Sequence, residues 1–264
     1  MAMRSSFNRH APQLAALVAL AVMTPAMAEV KSAPKSLSAG AILKNTEAAE
    51  GYQSCYAEMT QIITTSGDQK RTLVLRTWAV DDGDRQLAEY LSPPDIKGQR
   101  ILMTEDGDNI WTYNPETRRT RKLGSHMKRK RVMGSDFSYE DQSGGKISEK
   151  YVGTILGREE LNGVDCHVLD LHPTPEGPSY ARITAWIAIT DFVIRRMDYY
   201  RDDERRPFKR LIAEDIRPAQ NRAVPHRLTM RNLEDGTETV NLISRIQFDV
   251  EIPASVFEAR NLER

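Results

Sequence analysis

Residues Thr104–Leu123 read TEDGDNIWTYNPETRRTRKL, and this stretch indicates the fold of the chain. Two turn signals, Asp106-Gly107 and Asn114-Pro115, bracket a short run with two aromatic residues, Trp111 and Tyr113. Asp-Gly between apolar runs is a strong short-range signal for an antiparallel hairpin. Because Trp111 and Tyr113 are two residues apart, they share one face of a strand, which is either core or the wall of a cavity.

The same alternation continues on both sides of this hairpin and predicts roughly a dozen strands joined by short loops. The predicted strands are Ser54–Thr65, Arg71–Val80, Gln86–Leu91, Gln99–Thr104, Asn109–Asn114, Thr120–Leu123, Tyr151–Glu160, Asp165–His172, Tyr180–Ile189, Val193–Arg201, Phe208–Arg217, Ala223–Asn232 and Glu238–Asp249. Such a meander forms one large antiparallel sheet, which curls because strand twist accumulates. The predicted fold class is therefore mainly β with a few helices.

Helical cover is scarce. Ser38 is a typical N-cap, and the apolar spacing over Ala39–Ala49 predicts one amphipathic helix that ends at Gly51. Ser125–Gly145 lacks clean alternation, so we expect a short helix and a loop there. The tail after Asp249 is predicted to be a short helical or irregular cap.

The N-terminus has the pattern of a secretory signal peptide. Arg4 and Arg9 precede an apolar run, Leu14–Met23, which is too short to anchor the chain in a bilayer. Small residues at Ala26 and Ala28 predict cleavage after Ala28, so residues 1–28 form the leader and residues 29–37 a flexible linker. We expect a periplasmic protein with a single domain over residues 38–264.

The two cysteines, Cys55 and Cys166, could form one disulfide in an oxidising compartment or remain two buried thiols. No metalloprotease helix, nucleophile elbow or phosphate loop occurs in the sequence. Cys166 and His167 are adjacent on a predicted strand and point to opposite faces, so they cannot form a catalytic pair. We therefore expect no enzymatic activity, no metal and no cofactor.

Positive charge is concentrated between Arg118 and Arg131, in the sequence RRTRKLGSHMKRKR. Because the formal net charge is zero and the chain is predicted to be exported, we do not expect a nucleic-acid partner. An anionic lipid surface, an acidic partner or a charged head group fits this run, and so does a solvated loop.

Several predicted strands are apolar on both faces, notably around Trp78 and Trp186. Such strands need cover on both sides or leave one face lining an apolar cavity. With about two helical segments for so many strands, we favour an open apolar face. The candidate cavity residues are Leu73, Leu75, Trp78, Leu91, Ile101, Met103, Trp111, Tyr113, Ile187 and Met197.

The hairpin Ile101–Pro115 resembles one in the family of the periplasmic lipoprotein carrier LolA. Asp106, Gly107, Trp111, Tyr113, Asn114 and Pro115 match that pattern. The segment Gly134–Gln142 (GSDFSYEDQ) resembles a feature of a broader group of outer-membrane lipoprotein-sorting proteins. It is not part of the LolA pattern, and this chain is longer than LolA. Arg71 and Arg76 are both candidates for the arginine that in LolA latches the lid.

The resemblance implies a half-open β-barrel covered by helices, whose apolar interior holds acyl chains of a lipoprotein or lipid. It also implies cargo transfer from an inner-membrane transporter, either of the resistance–nodulation–division type or a lipoprotein-exporting ATP-driven complex. We expect a monomer. The rim or docking surface is predicted to contain Arg121, Lys122, Lys128, Arg129, Lys130, Arg131, Asp136 and Tyr139.

A periplasmic lipid-sensing regulator is the alternative function, since some stress-response regulators resemble the same fold. Those regulators usually carry a second, C-terminal domain. We expect no such domain here, because the predicted strands extend to Asp249.

Overall fold

A computed structural model describes residues 37–175, 177–202 and 205–263. The predicted leader and all of the predicted linker except Leu37 lie outside the described residues. Among the helices in the described ranges, none is both long and apolar enough to cross a bilayer.

Helix α1 spans Ala39–Glu50, as the apolar spacing predicted. The Ser38 side chain caps it by accepting a hydrogen bond from the backbone N–H of Ala41 at 3.2 Å. Ile42 and Leu43 are buried on the face that packs against the sheet. Two further helices are single turns, α2 at Tyr139–Gln142 and α3 at Ile147–Lys150.

Thirteen strands form one antiparallel sheet in the described part of the chain. They are β1 (Ser54–Thr64), β2 (Lys70–Val80), β3 (Arg85–Ser92), β4 (Arg100–Thr104), β5 (Asn109–Asn114), β6 (Arg119–Leu123), β7 (Tyr151–Leu161), β8 (Val164–Pro173), β9 (Arg182–Ala188), β10 (Ile194–Tyr200), β11 (Lys209–Ala219), β12 (Arg222–Asn232) and β13 (Thr237–Phe248). Each overlaps a predicted strand, because alternation and turn residues mark the ends of hairpin strands well.

The strand order is β6-β5-β4-β3-β2-β1-β13-β12-β11-β10-β9-β8-β7. The first and last strands therefore pair at the centre of the sheet, with Cys55 opposite Phe248. The edges are β6 and β7, which come from the middle of the chain and do not pair with each other. The predicted half-open, curved antiparallel sheet is thus confirmed.

The sheet has an inner face, covered by α1 and the middle of the chain, and an outer face. On β1, Cys55, Ala57, Met59 and Gln61 point inward. The outer face of β2–β5 is covered by the tail, which forms two 3-10 turns at Ala254–Phe257 and Ala259–Asn261.

The inner face has two differently covered parts. Over β8–β10, Ile42 and Leu43 of α1 pack into a cluster with Leu169, Leu171 and Ile183, all almost fully buried. We call this the filled half. Over β1–β4, residues 131–142 of the irregular middle cover the sheet instead, and we call them the covering segment.

Candidate functional site

An apolar cavity of about 380 Å³ lies on the inner face between the two parts. Its size is within the range of about 300–1,000 Å³ that is usual for ligand pockets. The strands β1, β2, β3, β4, β12 and β13 contribute most of the lining. Apolar lining side chains include Ala57, Met59, Leu75, Ala79, Ala88, Ile101, Met103, Val224, Leu228, Ile243, Ile246 and Phe248.

The covering segment closes part of this cavity, and Phe137 and Gln142 line it from that side. Asp136 fixes the segment to β13. Its backbone N–H donates to Thr239 Oγ1 at 2.8 Å, and its carboxylate accepts from the hydroxyls of Thr237 and Thr239. At the other end, the Gln86 side chain on β3 donates to the backbone carbonyl of Gln142.

A buried ion pair also joins the covering segment to β11, in the other half of the sheet. Lys209 on β11 and Asp141 on α2 form this pair, and their side chains are only 6% and 3% exposed. The Tyr180 hydroxyl donates to Asp141 Oδ1 at 2.6 Å. Burial and the Asp141 carboxylate raise the pKa of Tyr180, so its hydroxyl stays protonated as a donor.

The start of α2 explains why this segment turns where it does. Ser138 and Asp141 form a capping box, in which the Ser138 hydroxyl accepts from the Asp141 N–H while the Asp141 carboxylate accepts from the Ser138 N–H at 2.6 Å. The Asp141 carboxylate therefore caps the helix and pairs with Lys209 at the same time. Neither arginine considered for the latch takes this place, because Arg71 pairs with Asp95 and Arg76 with Glu89.

One end of the cavity is polar. Arg222 on β12 lies over the ring of Phe248 at 4.7 Å and donates to the backbone carbonyl of Gly51 at 3.1 Å. It also pairs with Asp249 at 3.2 Å. Glu50, at the end of α1, lines the same cavity and accepts a hydrogen bond from the Ile194 N–H at 3.1 Å.

The structure brings three of the predicted cavity residues together at the cavity wall, namely Leu75, Ile101 and Met103. Leu73 is on the same face and is packed in the neighbouring apolar cluster. Ile187 and Met197 belong to the filled half, under α1. Leu91 is 36% exposed on β3.

Trp78, Trp111 and Tyr113 point to the outer face, where they pack with Phe257 and Leu262 of the tail. Neighbouring strand positions alternate between faces, so the register that puts Leu75, Ile101 and Met103 inside puts these aromatic residues outside. Both faces are apolar here, which is why the sequence did not distinguish them. The C-terminal tail covers the outer face, a cover that the sequence did not reveal.

The predicted rim residues fall into two groups. Arg121 and Lys122 on the edge strand β6, together with Arg129, Lys130 and Arg131, are exposed, and Lys128 pairs with Asp108. Asp136 and Tyr139 are buried instead, Asp136 against β13 and Tyr139 in the cluster beneath the covering segment. Both residues belong to the covering segment, and their buried side chains therefore fix it to the inner face of the sheet.

Both cysteines are free and buried in separate apolar clusters, so no disulfide joins them in this structure. Cys55 lines the cavity, and burial raises the pKa of its thiol to about 11. Cys166 points to the outer face beside Trp186.

A larger depression of about 810 Å³ is lined mainly by charged residues, among them Asp106, Asp108, Lys128, Glu140, Lys146 and Lys150. Its mixed charges are partly paired, as in Lys128–Asp108 and Lys146–Glu149. Within the described ranges, no group of three or more His, Cys, Asp or Glu side chains is placed to hold a metal ion.

The sequence reasoning missed Phe137, Arg222 and the β13 residues of the cavity. GSDFSYEDQ contained a signal for the cover, because Ser138 and Asp141 have the spacing of a capping box. Lys209 had no comparable signal, since its partner is distant in sequence.

Comparison with known proteins shows which folds this architecture is similar to. A family model with the description "Uncharacterized protein" matches residues 82–264. No curated protein matches the sequence. A solved structure from Vibrio parahaemolyticus, described as an outer membrane lipoprotein-sorting protein domain, is 24% identical with a TM-score of 0.76, over 84% of this chain and 97% of that one.

Two other solved structures are similar. A DUF1329 family protein from Desulfovibrio piger is 23% identical with a TM-score of 0.78, over 84% of this chain and 97% of that one. A LolA superfamily protein from Nitrosomonas europaea is 18% identical with a TM-score of 0.70, over 84% and 98%. The LolA-like fold predicted from the hairpin is therefore confirmed.

Proposed function

The chain belongs to the family whose model matches residues 82–264, and from this premise and its LolA-like fold we propose that it is a periplasmic carrier for acyl chains. It binds an acyl chain of a lipid or lipoprotein in the apolar cavity and moves it from the inner toward the outer membrane, without catalysis. The observation that carries this proposal is the cavity of about 380 Å³ with largely apolar walls.

The driving force is removal of acyl methylenes from water, at about 0.8 kcal/mol for each buried CH₂. An acyl chain fits walls made of Met59, Leu75, Ile101, Met103 and Leu228, because these side chains offer no competing charge. Several buried methylenes give useful affinity and still allow release to a better acceptor.

The covering segment gives the carrier a way to open. Its contacts to the sheet at Asp136, Asp141 and Gln142 are polar, so water can replace them when the segment moves away. Val132 and Tyr139 then also have to leave an apolar cluster. The apolar packing under α1 has no such exchange partner. Loading and release therefore involve the covering segment, while α1 stays in place.

The basic side chains on and after β6 supply the docking surface. Arg121, Lys122, Arg129 and Lys130 are exposed beside one open edge of the sheet. An acidic surface on an inner-membrane transporter complements them, whether that transporter is of the resistance–nodulation–division type or a lipoprotein-exporting ATP-driven complex.

Native mass spectrometry of protein purified from the periplasm, followed by lipid extraction, tests the carrier function. We expect a monomer with one acyl lipid, or one that takes up a single fatty acid when hexadecanoic acid is added. A protein that carries no lipid and binds no added fatty acid would contradict the proposal.

Export is tested on the same sample. We propose that residues 1–28 are a leader, residues 29–37 a linker and residues 38–264 one lipid-binding domain. N-terminal sequencing of the purified protein should then begin at Glu29. Recovery of the full-length chain from the cytoplasm would contradict this.

A further inference from the structure

Two amides lie side by side on the inner face, where most of the cavity floor is apolar. Gln61 on β1 and Asn241 on β13 are directly opposite each other in the strand pairing, and both line the cavity. Their neighbours in the same row are Leu73 on β2 and Leu228 on β12. A polar pair therefore lies in the middle of an apolar row.

The pair is incompletely hydrogen-bonded. Gln61 Nε2 donates to Asn241 Oδ1 at 2.9 Å, but Gln61 Oε1 has no hydrogen-bond partner among the described residues. Gln61 is only 2% exposed. Buried polar groups are almost always satisfied, so an unpartnered amide oxygen at a ligand cavity points to a group that the ligand supplies.

Stability alone gives no reason for this pair. Replacing both partners of a buried hydrogen bond by apolar groups of the same shape is often neutral or stabilising. Two leucines would continue the row formed by Leu73 and Leu228. The amides lower the cavity's affinity for a plain alkyl chain. They strengthen binding only when the ligand has a polar group at this depth to hydrogen-bond with them.

We propose that Gln61 and Asn241 form a subsite that binds a hydroxyl group on the acyl chain. This inference rests on the proposed carrier function and names its ligand class as hydroxylated acyl lipids. A hydroxyl both donates and accepts, so it can donate to an amide oxygen or accept from an amide nitrogen of the pair. A carbonyl or an ether on the chain could only accept and would leave Gln61 Oε1 unpartnered.

The test compares the affinities of hexadecanoic acid with those of its 3-hydroxy and ω-hydroxy derivatives, measured by calorimetry on the mature protein. We expect at least one hydroxylated acid to bind about tenfold more tightly than the unsubstituted acid. Gln61→Leu should abolish this preference, so that the hydroxylated and unsubstituted acids bind with equal affinity. The double variant Gln61→Leu/Asn241→Leu should behave alike and avoids an unpaired Asn241.

Thr77→Val is the matched control, because it replaces a hydroxyl group elsewhere in the same cavity by a methyl group and leaves both amides in place. It should keep the preference for the hydroxylated acid. If no acid binds to the wild type, the carrier function itself fails. If hexadecanoic acid binds but neither hydroxylated acid binds more tightly, or if the preference survives in both leucine variants, only the hydroxyl subsite is overturned.

Discussion

The two parts of the inner face are built on one sheet but are covered differently. Over β8–β10, α1 inserts Ile42 and Leu43 and leaves a solid core. Over β1–β4, the covering segment is attached by hydrogen bonds and an ion pair as well as by the buried side chains of Val132 and Tyr139, and it leaves a cavity beside Phe137. The comparison shows that the cover, more than the apolar sheet beneath it, decides whether a half is filled or open.

The largest effect is expected at the attachment of the cover. Asp141→Asn removes the negative charge beside Lys209 and leaves a buried ammonium group unpaired, which should lower the free energy of unfolding by about 3–5 kcal/mol. Urea denaturation measures this. Asp108→Asn is the control, because it removes an exposed ion pair with Lys128 and should cost at most about 1 kcal/mol. Equal losses would show that the cover does not depend on the buried pair.

Leucine truncation compares the interior of the filled half with the wall of the cavity. Leu171→Ala in the filled half should lower the free energy of unfolding by about 2–5 kcal/mol, because it creates a new void. Leu228→Ala should cost less, about 1–2 kcal/mol, since this partly buried side chain already borders the cavity. The two midpoints of urea denaturation should differ accordingly. A larger loss for Leu228→Ala would mean that the cavity is closed in solution.

Enlarging a side chain tests the same difference in the opposite direction, because a filled core has no space for added volume whereas a cavity has. Ala185→Leu in the filled half should destabilise the protein by about 1–3 kcal/mol, because there is no room for the larger side chain. Ala57→Leu lines the cavity and should change stability by less than about 1 kcal/mol. It should weaken hexadecanoic acid binding, which calorimetry would measure. Unchanged binding in a folded Ala57→Leu protein would place the acyl chain elsewhere.

The reactivity of the two cysteine thiols tests where the ligand binds, and the substitutions that it requires should disturb the protein least. In Cys166→Ala protein, a thiol reagent should modify Cys55 slowly. The rate should rise about tenfold per pH unit between pH 8 and pH 10, because only the thiolate reacts and the pKa of Cys55 is raised to about 11.

Hexadecanoic acid should slow this modification of Cys55. It should not slow the modification of Cys166 in Cys55→Ala protein, since that thiol is on the outer face. Protection of Cys166 alone would contradict the placement of the ligand.

The strands were predictable because their signals are local. Asn109–Asn114 was predicted from Asp-Gly before it and Asn-Pro after it, and the structure has a strand with these bounds. The side that faces the cavity was not predictable for Trp111 and Tyr113. That depends on Phe257 and Leu262, which meet them only through the folded tail.

The candidate site was partly predictable for the same physical reason. Leu75, Ile101 and Met103 follow from apolar alternation, which is a property of one strand at a time. The ion pair of Asp141 with Lys209 and the pair of Gln61 with Asn241 join residues far apart in sequence. No local pattern encodes such partners, since only the strand order brings them together.

The central pairing of β1 with β13 has a consequence for the order of folding. The two meanders β1–β6 and β7–β13 each consist of neighbouring hairpins and can form as the chain emerges. The cavity floor, however, combines β1 and β2 with β12 and β13, so it cannot exist until the last strand has been made. Closure of such distant strands is slow, and until then the apolar edges of both meanders are open to aggregation. A chain crossing a membrane from its N-terminus would therefore acquire its ligand site only at the end of translocation.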